Sequence, residues 1–168
     1  MNIYIISDTH LHHDNIIIYC NRPTNHTELI LENWCNIVKE DDLIIHLGDV
    51  IFKRASELDN ILHSLPGKKI LVRGNHDRET LEWYMTHGFD FACDSFIFED
   101  ILFTHIPSAF LPANTKINIH GHLHNAPFIK EKWNLKSRPF NRLFALENEE
   151  YKPVLLETFL NKYDKANW

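Results

Sequence analysis

Short apolar runs alternate along the chain with stretches in which apolar positions recur every three or four residues. Ile3-Tyr4-Ile5-Ile6, Leu43-Ile44-Ile45-His46-Leu47 and Lys69-Ile70-Leu71-Val72 are brief and rich in β-branched residues. Each stops at a polar or glycine-bearing loop, namely Ser7-Asp8, Gly48-Asp49 and Arg73-Gly74-Asn75. Such runs predict buried strands. Between them Leu29, Ile30, Trp34, Ile37 and Val38 keep helical spacing after a cap at Thr24 or Asn25. Leu58, Ile61, Leu62 and Leu65 do the same ahead of Pro66-Gly67, and Leu81, Tyr84 and Met85 predict a third helix closed by Gly88.

From Ser95 onward the texture turns to strands. Phe96-Ile97-Phe98 and Ile101-Leu102-Phe103-Thr104 flank Glu99-Asp100, a hairpin whose turn lacks the favoured glycine. Lys116-Ile117-Asn118-Ile119-His120 alternates, Arg142 to Ala145 and Tyr151 to Leu156 predict two more strands, and a helix begins at Glu157. With no linker, repeat or low-complexity stretch, the pattern predicts one α/β domain over residues 1–168, a sheet sandwich flanked by helices, without a cap or lid.

The chain has 168 residues, long enough to bury a core unaided, and 44% hydrophobic against 24% charged residues excludes a disordered or collagenous chain. Its net charge of −6 argues against stable binding of nucleic acid through a basic surface. No apolar run is long enough for a membrane span, and no signal peptide is read, so a cytoplasmic protein is expected. Cys20, Cys35 and Cys93 form no CxxC pair and read as reduced, buried thiols. The outlier is histidine, with 12 residues.

The polar chemistry falls where the strands stop. Asp8-Thr9-His10 follows the first strand, Gly48-Asp49 the second and Gly74-Asn75-His76-Asp77 the third. His105 follows the hairpin, and Gly121-His122-Leu123-His124 follows the next strand. Ligands in open α/β sheets bind at the carboxyl ends of strands, so these loops are expected to converge. Asp8 with His10, and His122 with His124, are two apart and can each grip a common centre. Nitrogen and oxygen donors without a thiolate suit Mn, Fe, Zn, Co or Ni, and their number exceeds what one tetrahedral zinc needs. A two-metal site bridged by one carboxylate would use them all. Gly48, Gly74 and Gly121 are read as giving the backbone room beside the site.

In that order, these motifs resemble those of the calcineurin-like metallophosphoesterase superfamily, over residues 8–124. Ser7-Asp8-Thr9-His10-Leu11-His12-His13-Asp14-Asn15-Ile16-Ile17, with Arg22-Pro23 and His46-Leu47-Gly48-Asp49, is similar to a small bacterial and phage subgroup that tends to carry glycine where this chain has His12. The resemblance implies a four-layer α-β-β-α sandwich of two mixed sheets. It implies two divalent ions, Mn2+ first and Fe, Zn, Ni, Co or Mg as alternatives. One would be held by Asp8, His10, Asp49 and His124. The other would be held by Asp49, Asn75, His105 and His122, with Asp49 bridging. A hydroxide between the metals would attack phosphorus in line, with His76 protonating the leaving oxygen and Asp77 holding the His76 imidazole. The implied substrate is a small phosphodiester or nucleotide, with phosphomonoesters as a second class. The rival reading is a scaffold that keeps the fold without catalysis.

Around this set, His13 either touches the substrate phosphate, caps a helix at its N-terminus or is a solvated side chain. Arg73 and Lys53 are the strongest candidates among the nearby basic residues to meet phosphate oxygens; Arg22, Arg54 and Arg78 are weaker ones. His46 and His120 read as histidines packed behind the site, and His26, His63 and His87 as solvated. Trp34 and Trp83 are expected in the core, while Trp133 and Trp168 are candidates for a homodimer contact.

Overall fold

The computed structural model describes residues 1–52, 55–125, 133 and 137–164. Four runs pair in parallel: β1 (Ile3–Ile6), β2 (Leu43–His46), β3 (Lys68–Val72) and β4 (Phe91–Cys93), in the order β4-β3-β2-β1. The short β9 (Val154–Leu155) joins β1 antiparallel and makes this sheet mixed. The second sheet orders β5 (Ser95–Phe98), β6 (Ile101–Thr104), β7 (Ile117–His120) and β8 (Asn141–Leu143), with β5 antiparallel to β6 and the remaining pairs parallel. Among the described residues, helices α1 (Asp14–Cys20), α2 (His26–Ile37), α3 (Ala55–Ser64), α4 (Leu81–Thr86) and α5 (Leu156–Asp164) flank the sheets. The chain is thus of the α/β class, with two mixed sheets and helices around them.

Ile5, Ile6, Ile44, Ile45 and Leu71 of the first sheet and Phe103 and Ile119 of the second join one buried cluster with Trp34, Leu58 and Phe159 of the helices. Each such side chain taken from water stabilises the fold by about 1.5–3 kcal/mol. Register then positions the loops. Ile6 pairs with His46 and His46 with Leu71, so β1, β2 and β3 end at one level and deliver their loops to one edge. Among the described residues no helix is long and apolar enough to cross a membrane.

Several expectations need correction. Strand β4 was not expected, and helix α1 only as the helix that His13 would cap. Ile16-Ile17-Ile18 is a β-branched run of low helix propensity, and a three-residue strand is too short to show a period. Tyr151 to Leu156 yields only the two residues of β9, because Glu150 and Tyr151 both take left-handed backbone in a turn. His26 is buried, not solvated, with Nε2 3.4 Å from the His10 carbonyl oxygen. Cys20 is buried as expected, but Cys35 is exposed and Cys93 half-buried. Trp34 lies in the core, whereas Trp83 is half-buried and stacks on His87 at 3.9 Å. The 95–104 hairpin forms without glycine by placing Glu99 at φ +55°. Lys53, Arg54 and Trp168 lie outside the described residues.

Candidate metal centre

Three loops of the first sheet are laced together by their own amides. The Asp8 N–H donates to the Gly48 carbonyl at 2.9 Å and the His10 N–H to the Asp49 carbonyl at 2.9 Å. The second sheet is tied in at two places. The His122 N–H donates to the Asp8 carboxylate at 3.0 Å, and His105 Nδ1 meets the Leu47 carbonyl at 2.6 Å. Asp8, His10, Asp49, His122 and His124 all take left-handed backbone, with φ of 53°, 44°, 57°, 69° and 48°. Each such non-glycine residue costs roughly 1–3 kcal/mol unless its surroundings hold it. Glycine is needed where loops touch: a Cβ on Gly74 would collide with the Asp49 carboxylate and amide, and one on Gly121 with Ser7 Oγ and the Asp8 carboxylate.

The result is two adjoining groups of ligand atoms. Asp8, His10 and His124 form one, and Asp49, His105 and His122 the other, the atoms of each lying within 4.8 Å of one another. The Asp49 carboxylate stands between them, its Oδ2 3.5 Å from His10 Nε2 and 3.3 Å from His105 Nε2. Asn75 reaches the second group, with Oδ1 2.9 Å from His105 Nε2, and His122 Nδ1 lies 3.2 Å from the same nitrogen. Beside these groups opens a cavity of about 510 Å³. His10, His13, Asp49, His76, His122 and His124 supply its polar lining; Ile16, Tyr19 and Phe52 supply apolar wall.

The electrostatics of these groups leave room for a cation. Burial pushes the His10 imidazole well below its ordinary value, and both its ring nitrogens are buried without a hydrogen-bond partner. For His105 burial also opposes the charged form. The hydrogen bond to Asp49 and the charges of Asp8 and Asp49 outweigh it and raise the ring to about 9. His124 is lifted to about 10, because the charge of Asp8 and its contacts to Cys20 and Glu147 overcome burial. Asp49 is itself held well below the usual carboxylate range: burial would raise it, but His105 and His10 prevail. His105 Nδ1 faces the Leu47 carbonyl, and its Nε2, the Asn75 oxygen and the His122 ring nitrogen converge on the side toward Asp49. Orphaned imidazole nitrogens beside two carboxylates fit divalent ions held by nitrogen and oxygen donors.

The family model for the calcineurin-like phosphoesterase superfamily domain matches residues 1–137. The chain belongs to that superfamily. An uncharacterised protein of Methanocaldococcus jannaschii is 33% identical over 178 residues, covering 98% of this chain and 92% of the relative. The crystal structure of a protein of unknown function from Aquifex aeolicus superposes with a TM-score of 0.75 at 30% identity, covering 96% of this chain and 98% of that one. The Pseudomonas putida nuclease MPE shares the fold, with a TM-score of 0.50 at 22% identity, over 73% of this chain and 61% of that one.

In this calcineurin-like phosphoesterase the site residues read from sequence are not all used alike. Asp8, His10, Asp49, Asn75, His105, His122 and His124 come together as above. His76 and His13 line the cavity, His13 stacked on Phe52 with ring centroids 3.8 Å apart. The Asp77 carboxylate accepts the backbone N–H groups of Asp49 at 2.7 Å, Val50 at 3.0 Å and Gly74 at 2.7 Å, so these contacts tie it to the loops after β2 and β3. Arg73 is not brought to the cavity: it pairs with Asp94 at 2.7 Å. His12, at φ +58°, takes the backbone conformation that glycine adopts most readily.

Glu147 was missed as part of the site, and Arg22, read only as a weak candidate for phosphate oxygens, is built into it. Glu147 Oε1 lies 3.0 Å from His124 Nδ1 and accepts from Arg22 Nε at 2.9 Å, while Arg22 also donates to the Asp8 and Thr9 carbonyls at 2.7 and 3.0 Å. Fixing Nδ1 this way leaves Nε2 of His124 to face Asp8, 3.8 Å from its Oδ1. A carboxylate that orients a ligand histidine typically contributes 10–100-fold in metal affinity. If the two groups each hold an ion, replacing Glu147 with alanine should weaken binding of one by about that factor, while the other is retained. Equilibrium dialysis against Mn2+ checks this; equal weakening of both ions would contradict it.

Proposed function

We propose that this chain hydrolyses phosphodiesters with two divalent ions, of which Mn2+ fits the donor set best. The observation that carries this reading is the Asp49 carboxylate, placed within 3.5 Å of imidazole nitrogens from both groups. Two ions bound there would activate water and neutralise charge on the phosphoryl oxygens. Asp8, His10 and His124 would hold one, Asn75, His105 and His122 the other, and Asp49 both. His76 stands beside the centre, its ring 5.5 Å from that of His10, and its own N–H donates to Asp49 Oδ1 at 2.8 Å. That places the imidazole over the cavity, where it can give a proton to the leaving oxygen.

Among the described lining residues there is no lysine or arginine, which favours a singly charged diester over a doubly charged monoester. The cavity volume suits a mononucleotide-sized group, and the net charge of −6 weighs against stable nucleic-acid binding. Likeness in fold to a nuclease agrees with cleavage of a nucleotide-type diester. Trp133, half-buried and edge-on to His122 at 5.6 Å, stands at the centre, which leaves less of it for a homodimer contact.

The test is turnover of bis(p-nitrophenyl) phosphate by Mn2+-loaded protein with and without chelator, set beside metal content. Two equivalents of metal and chelator-sensitive turnover are expected; fewer than two equivalents and no turnover with any divalent ion would sink the proposal. Removing a general acid usually costs about 10²–10⁴-fold on poor leaving groups. His76→Ala should lose about that much on an alkyl diester and far less on the nitrophenyl one. Equal losses on both would deny His76 the role of acid.

A further inference from the structure

Among the described residues a third cluster of ligand-type side chains adjoins this centre and shares His124 with it. Cys20, His124 and Glu147 offer a sulfur, a ring nitrogen and a carboxylate oxygen that all lie within 4.8 Å of one another. Cys20 is at the last turn of α1 and buried, and with His124 it lines the cavity, so an ion entering the cavity can reach both. A second observation comes from Glu147. Its side chain is only 2% exposed, and while Oε1 serves Arg22 and His124, Oε2 is buried with no hydrogen-bond partner. A buried carboxylate oxygen left unpaired is costly, and such atoms call for an explanation.

We propose that Cys20, His124 and Glu147 form a second, softer cation site that takes thiophilic divalent ions such as Zn2+ or Cd2+ and excludes Mn2+ and Mg2+. A sulfur, nitrogen and oxygen set with one open position is the usual environment of such ions, whereas harder ions gain little from a thiolate. Arg22 already balances the charge of Glu147, so the thiolate supplies the fresh negative charge. Binding releases two protons to solvent, one from the Cys20 thiol and one from His124 Nδ1. Because His124 belongs to both clusters, a soft ion on Nδ1 removes the Glu147 hydrogen bond that aims Nε2 at Asp8. Excess Zn2+ or Cd2+ should consequently inhibit, a corollary that rests on the phosphodiesterase reading; the site itself does not.

The experiment adds Cd2+ to Mn2+-loaded protein and follows the ultraviolet charge-transfer absorption of a cadmium–thiolate bond, which reports binding and not turnover. Wild type should saturate at one thiolate-bound ion. Cys20→Ser should lose that absorption or weaken it at least 100-fold, about the upper limit for loss of a supporting group, since here a direct ligand goes. Cys35→Ser, changed at an exposed cysteine, should keep it. Mn2+ retained by the Cys20→Ser protein shows that it is folded. No charge-transfer absorption in wild type, or unchanged absorption in Cys20→Ser, overturns the site. If the absorption behaves as expected while Mn2+-loaded protein cleaves no phosphodiester, the functional proposal fails and the cation site stands.

Discussion

Asp49→Asn should abolish turnover, lowering the rate on an activated phosphodiester by at least about 10³-fold, and should reduce bound metal below two equivalents. The side chain stays the same size, so the change isolates charge. Oδ2 faces His10 Nε2 at 3.5 Å and His105 Nε2 at 3.3 Å, and Oδ1 accepts the His76 N–H at 2.8 Å. An amide can keep the last of these contacts by presenting its oxygen there, which leaves its NH2 group facing the two imidazoles. A neutral donor in that position cannot bridge cations. The unfolding midpoint of the metal-free variant should shift little, because one hydrogen bond survives and a buried charge disappears. Metal analysis and turnover on one preparation check the prediction, and full activity with two bound ions would falsify the bridging role.

Asp77→Asn should instead act on stability, at a cost of about 3 kcal/mol, or roughly 6–12 °C in Tm for a chain of this size. Three amides converge on one carboxylate, and they belong to the loops after β2 and β3. Asparagine has one acceptor oxygen for three donors, so at least one buried N–H is left facing an NH2 group. An opposing effect exists: burial and the nearby Asp49 charge push the Asp77 carboxyl up, so the neutral amide relieves some strain on the charged form. The orphaned donors outweigh that relief, because each hydrogen bond to a charged acceptor contributes about 1.5–3 kcal/mol. Thermal unfolding measures the loss. Metal-saturated variant protein should keep its ratio of rates on poor and good leaving groups, unlike His76→Ala. A changed ratio with unchanged Tm would restore Asp77 as the orienting partner of His76.

The ligand loops were legible because each directly follows an apolar run whose end is marked by Asp, Asn, His or Gly. Parallel pairing then does the rest, since strands in register end together. What stayed hidden depends on contacts without local periodicity. Asp77 answers to backbone amides, which carry no residue type. Glu147 is 23 positions beyond His124 in a 3₁₀ turn, after buried apolar residues and before a run of polar ones, with nothing in its neighbours to name its target. Arg22 looked like one more surface cation, yet its side chain is fully buried against Glu147 and two carbonyls. His26 sits in the first turn of α2, where the helical period predicts exposure, yet its ring is buried with Nε2 toward the loop carrying His10.

The left-handed backbone at Asp8, His10, Asp49, His122 and His124 bears on how such a centre can change over time. Outside glycine, aspartate, asparagine and histidine are the residues enriched in that conformation. They are also the residues with hard oxygen and nitrogen donors. The backbone and the chemistry thus select from nearly the same short alphabet at each position. A glycine there would ease the chain but surrender a donor; a glutamate or glutamine would keep a donor but resist the turn. Few single-residue routes lead to a different ligand set, and drift in this corner of the molecule should mostly exchange Asp, Asn and His among themselves.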